Sequence, residues 1–99
     1  MQSHYAEQFD REIGCTEAEW LASAPRALVN HPHQFLGQTL RVQIADGELR
    51  VSWQVAEPRV LGLARMPRLL ARFAFTGLSD AQRLVFMKHF DLYMQRGGG

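Results

Sequence analysis

The chain is poor in the residues that most often announce a function. It has a single cysteine, Cys15, a single lysine, Lys88, and no long unbroken apolar run. One cysteine excludes an intramolecular disulfide and a cysteine-built zinc site. Without about 20 consecutive apolar residues, no membrane-spanning helix is expected. The opening Met-Gln-Ser-His-Tyr-Ala-Glu has neither a basic nor an apolar leader region, so no secretory leader is expected and cytoplasmic residence is the simplest reading. There is no Gly-rich phosphate loop, no carboxylate pair in a shared context and no Ser/His/Asp arrangement. We therefore assign no catalytic residue, no metal ligand and no cofactor from the sequence.

What is present suits a small globular chain. The 99 residues are 46% hydrophobic, enough for one domain and one core, with the thin stability margin of that size. Net charge is +1, but it is unevenly spread. Residues 1–37 carry Arg11 and Arg26 against Glu7, Asp10, Glu12, Glu17 and Glu19. Residues 38–78 reverse the balance, with six arginines against Asp46, Glu48 and Glu57. Arginine is the better fork for phosphate and carboxylate.

Local patterns predict the elements. Tyr5, Phe9 and Ile13 fall four apart, which favours a helix face ended by Gly14; the same odd-numbered positions hold Glu7 and Arg11, as a strand would tolerate. Thr16-Glu17-Ala18-Glu19 is a capping box and opens a helix with Trp20, Leu21, Ala24, Ala27 and Leu28 on its apolar side, interrupted near Pro25. Asn30 to His33 reads as a loop. Thr39–Ala45 and Glu48–Val55 flank Asp46-Gly47, a preferred hairpin pair. A turn there sets Ile44 opposite Leu49, Val42 opposite Val51 and Leu40 opposite Trp53, with polar pairs between. Arg59–Arg65 reads as a third strand and Leu69–Thr76 as a fourth. Ser79-Asp80-Ala81-Gln82 is a second capping box, opening a helix to about Arg96 with Gly97 as its stop.

The expected fold is α+β: a two-layer sandwich in which a four-stranded antiparallel meander is preceded by one or two helices and closed by a C-terminal helix. Its inner sheet face is Leu40, Val42, Ile44, Leu49, Val51, Trp53, Val55, Phe73 and Phe75.

Several residues invite a functional reading, each beside a plainer one. A thiol at Cys15, before a helix start, would have a lowered pKa; as the residue ahead of the cap it equally well packs on Trp20. His31 and His33 flank Pro32 and offer two metal ligands where zinc wants about four; an exposed loop is the plainer reading. Arg41, Arg50 and Arg72 on the polar sheet face make a possible anion or RNA platform, although the aromatics that would stack on bases occupy the opposite face. Gly97-Gly98-Gly99 is a flexible tail compatible with a carrier protein, but such carriers enter their glycines from a strand. The apolar excess at Leu61, Leu63, Leu70 and Met94 exceeds what one sheet face and one helix stripe bury, and points to a protein partner, a second copy first of all. The function favoured by the sequence is a non-enzymatic protein-interaction module. The alternatives are RNA or anion binding through the Arg face and a carrier role for the tail.

Overall fold

The computed structural model describes residues 4–97. Its order is β1 (Gln8–Ile13), α1 (Glu17–Ala27), β2 (His33–Leu36), β3 (Thr39–Ile44), β4 (Gly47–Val55), β5 (Arg59–Leu61), β6 (Ala64–Met66), β7 (Leu69–Thr76) and α2 (Asp80–Gly97). Five strands form one antiparallel sheet in the order β1-β7-β4-β3-β2, and β5 and β6 form a separate two-stranded ribbon. The α+β class holds. The sheet has five strands rather than four and is not a meander throughout, since β1 pairs with β7; one helix precedes the hairpin, within the one or two expected.

The first segment is a strand, not a helix. It lies at the sheet edge against β7, with Phe9 opposite Phe73 and Ile13 opposite Leu69. Its odd positions turn partly inward and its even positions outward. Arg11 sits on the inward side, where a lone charge would be costly. It is held there by Asp91 of α2, which takes both guanidinium arms at 2.6 and 3.2 Å. Tyr5 donates its hydroxyl to the same carboxylate at 2.8 Å, and the Arg11 guanidinium lies over the Phe9 and Phe73 rings.

The α1 start is as expected. The Thr16 hydroxyl accepts from the Glu19 amide, and the Glu19 carboxylate accepts from the Thr16 amide. Pro25 falls in the last turn and the helix ends at Ala27, two residues on. Leu21, placed on the apolar side by its spacing, is exposed. The strand His33–Leu36 starts at the last residue of the expected loop and runs through residues assigned to no element from the sequence. It is short, follows Pro32 and pairs with β3 through a Gly37-Gln38 turn, with Gly37 at φ +58°.

The β3–β4 hairpin forms in a register two residues from the expected one. Ile44 faces Gly47, Val42 faces Leu49 and Leu40 faces Val51. The turn is therefore Ala45-Asp46, with Ala45 at φ +51°. A shift of two leaves every side chain on its expected face, so the alternating pattern cannot tell the registers apart. Gly47 pairs with Ile44 as the first strand residue, and the position demands glycine: a Cβ there would collide with the Thr76 carbonyl oxygen and lie 2.7 Å from that of Gly77.

The expected strand Arg59–Arg65 is a hairpin instead. Gly62, at φ +60°, turns the chain, so Leu61 pairs with Ala64 and Arg59 with Met66. Strands β4 and β7 pair down to Val55 and Leu69, and Ala56 donates to the Arg68 carbonyl at 3.1 Å. The β5–β6 ribbon thus continues the β4–β7 ladder as a projecting arm. Pro58 and Pro67, lacking N–H groups, interrupt the ladder at its root.

Both helices bury their apolar residues against one sheet face. Trp20, Ala24, Leu28, Phe86, Met87 and Phe90 join Leu40, Val51 and Phe73 in a single core. Val55, expected inside, is 60% exposed: β3 pairs with β4 only as far as Ser52, so Val55 has no strand on that side, whereas its partner Leu69, flanked by Ile13 of β1, is buried. Helix α2 buries one stripe and leaves Val85, Leu92 and Tyr93 exposed. Its Ser79 cap is a full box: the Gln82 amide donates to the Ser79 hydroxyl at 3.2 Å, and the Ser79 amide donates to the Gln82 side chain at 2.9 Å. Ser79→Ala is expected to cost about 1 kcal/mol. A lowered denaturant midpoint with unchanged slope would show it; an unmoved midpoint would mean the cap contributes nothing.

Candidate interaction site

The outer sheet face carries no helix. Arg41, Arg50 and Arg72 all lie on it, exposed as the alternation requires. They do not present open guanidinium forks. Arg41 and Arg50 face each other across β3 and β4, a repulsive cross-strand pair. Glu48 relieves it, at 3.0 Å from Arg41 and 3.5 Å from Arg50. Arg72 is engaged by its cross-strand neighbour Asp10 at 2.9 and 3.4 Å. The hydrogen bond and charge of Arg72 hold the Asp10 carboxyl below the usual carboxylate range. A shallow trough of about 620 Å³ lies on this face between Asp10, Arg72, Ser52 and Leu70. Its charges are already matched in pairs.

The arm is a different kind of surface. Every residue from Arg59 to Pro67 is exposed. Leu61 is 61% exposed and Leu63, at the tip, fully so, with Val60 and Met66 beside them. An isolated two-stranded ribbon is marginal in water, and this one offers its apolar side chains to solvent. Its root is nonetheless fixed. Glu12 of β1 accepts from Arg59 at 3.1 Å and from Arg68 at 3.1 Å, and Arg68 also donates to the Glu57 carbonyl at 2.7 Å. Partial burial opposes ionisation of Glu12, but Arg68 and Arg59 outweigh it and hold its carboxyl low. The ribbon is thus tied at its base and bare at its tip.

Of the residues singled out for an apolar interface, Leu61 and Leu63 lie on the arm. Leu70 lies on the outer face, opposite Glu12 and Gln54, near the arm's root. Met94 does not belong with them. It packs partly buried against the core and lines a cleft with Trp20 and Phe90. The arm itself was readable in part: Gly62 between Pro58 and Pro67 marks a turn between two ladder breaks.

Cys15 is buried, and its thiol is pushed up by that burial and then by the Glu19 charge, so it is no activated nucleophile. The ring Nδ1 of His31 lies 3.2 Å from the Gln43 carbonyl oxygen and that of His33 2.9 Å from the His31 carbonyl oxygen. Among the described residues, no group of three His, Cys, Asp or Glu side chains is placed to hold a metal ion. Helix α2 runs through Gly97; the remaining tail glycines, Gly98 and Gly99, lie outside the described residues. No helix among the described residues is long and apolar enough to cross a membrane. In comparisons with known proteins the chain matches no family model, no curated protein and no solved structure.

Proposed function

We propose that the chain is a non-enzymatic interaction module that binds a protein partner through the β5–β6 arm, and that this partner is a second copy of the chain. The observation that carries the reading is the run of exposed apolar side chains from Val60 to Met66 on a ribbon whose root is pinned by Arg59, Arg68 and Glu12. Leu70 on the outer sheet face and Val55 on the inner face add exposed apolar area on either side of the root. Two arms crossing about a two-fold axis would cover each other with the same residues, the economical way for one patch to serve both partners. The RNA- or anion-binding alternative has less support, since Glu48 and Asp10 already occupy the Arg41, Arg50 and Arg72 guanidinium groups.

The reading predicts a sedimentation mass of twice the 11.3 kDa chain at tens of micromolar. Leu61→Glu combined with Leu63→Glu should weaken association at least tenfold. Because both side chains are exposed in the single chain, the monomer's thermal midpoint should hardly move. Met94→Glu should instead lower stability, because Met94 packs on the core. A wild-type monomer at high concentration, or a dimer indifferent to both arm substitutions, would refute self-association through the arm.

A further inference from the structure

A second site lies away from the arm, in a cleft of about 430 Å³ between the end of β1, the turn into α1 and the last turns of α2. Trp20, Phe73 and Phe90 lie along its inner side. Arg11 and Asp91, joined at 2.6 Å, form part of its wall, with Cys15 and Ser23 on the α1 side and Met94 on α2.

The unusual feature is the Trp20 indole N–H. Trp20 is wholly buried, and its Nε1 is the only buried side-chain nitrogen or oxygen among the described residues without a hydrogen-bond partner. The contrast with Trp53 is direct: that indole N–H donates to the Glu17 carboxylate at 2.8 Å. A buried donor left unpaired loses its hydration and gains nothing in return.

We propose that the cleft is a small-molecule site for an uncharged, largely apolar ligand bearing a carbonyl-type oxygen, which accepts from the Trp20 indole N–H. The size falls within the range of ligand pockets. The aromatic inner side suits an apolar body. The charged residues in the wall are Arg11, Asp91 and Glu12; the Arg11 guanidinium is committed to Asp91 and Glu12 to Arg59 and Arg68, so no cation is left to pair a carboxylate ligand. Burial and Glu19 keep the Cys15 thiol neutral, so it brings no charge either. Trp20 is closed to water as the structure stands, so a ligand reaches its N–H only if side chains lining the cleft shift, of which Met94 is unbranched and adaptable.

The test uses the full chain labelled with ¹⁵N and three probes of one size: benzamide, benzoate and toluene. The Trp20 indole signal is told from that of Trp53 with the W53F variant. Benzamide is expected to move the Trp20 indole proton downfield, saturably at millimolar concentration. Toluene and benzoate should each bind about tenfold more weakly, the former for want of an acceptor and the latter for want of a cation. Ser23→Phe, which fills the cleft from α1, should abolish the benzamide shift while the Trp53 signal stays in place. The proposal fails if benzamide leaves the Trp20 proton unmoved, as it would if a resident water or a neighbouring aromatic face already held the N–H. Equal binding of toluene, or equal or tighter binding of benzoate, overturns the ligand class. A shift that persists in a folded Ser23→Phe variant overturns the location.

Discussion

Gly47→Val is expected to lower stability by about 3 kcal/mol or more, which for a domain of this size is a fall in thermal midpoint on the order of 15 °C. The reason is where a side chain would go. A Cβ on Gly47 would meet the carbonyl oxygens of Thr76 and Gly77, the latter at 2.7 Å. These are backbone atoms at the end of a paired strand, so no side chain can rotate away and the β4–β7 ladder must part. Gly77 mirrors the constraint: at φ +73° it lies so close that its own Cβ would sit 3.4 Å from the Gly47 Cα. Gly14→Ala is the control. Nothing lies within 4 Å of a Cβ there, so its effect should stay within about 0.5 kcal/mol. Ala45→Gly separates the two hairpin registers. With the turn at Ala45-Asp46 the substitution relieves a positive φ and should be neutral or stabilising. Destabilisation by Ala45→Gly would restore the turn to Asp46-Gly47, in which Ala45 is an ordinary strand residue.

Arg83→Ala should cost about 3 kcal/mol, although the residue is an arginine on a helix with one side open to solvent. Arg83 is only 7% exposed. Its Nε donates to the Tyr5 carbonyl at 2.9 Å and its Nη1 to the Leu78 carbonyl at 2.8 Å, while Nη2 pairs with Asp80. One planar group thereby ties the segment leading into β1 to the turn between β7 and α2. Truncation strands two carbonyls, each costing about 1–3 kcal/mol if water does not reach it. Arg83→Lys keeps the charge but offers a single ammonium in place of the fork, so it should recover less than half of the loss. Denaturant unfolding of both variants measures the cost, and limited proteolysis before β1 should reveal the loosened segment. A loss below 1 kcal/mol for Arg83→Ala would show that water satisfies both carbonyls.

The candidate arm and the candidate cleft were legible to different degrees. Exposed apolar excess at Leu61 and Leu63 is visible in the sequence as residues that fit no alternating strand. Their place on a projecting ribbon is not, because Arg59–Arg65 has the length of a strand and only Gly62 hints that it folds back. The cleft is invisible beforehand. It depends on Trp20 and Met94 being brought together from two helices, and on an indole N–H finding no acceptor.

The sequence by itself determined what short-range chemistry decides. Both helices start where Thr16-Glu19 and Ser79-Gln82 form their boxes, because a cap needs only residues three apart. The inward set Leu40, Val42, Ile44, Leu49, Val51, Trp53, Phe73 and Phe75 is buried, because a pleated strand fixes faces by a period of two. Tertiary structure alone decided the rest. The hairpin register sets Gly47 against a strand end some thirty residues away, a steric condition that the period-two pattern cannot register. The first segment became a strand because β7 had a free edge to pair and because Asp91, 80 positions along the chain, made an inward Arg11 tolerable. Spacing within a segment records which side of it is apolar. It does not record which distant group will be there to pair a charge or crowd a backbone.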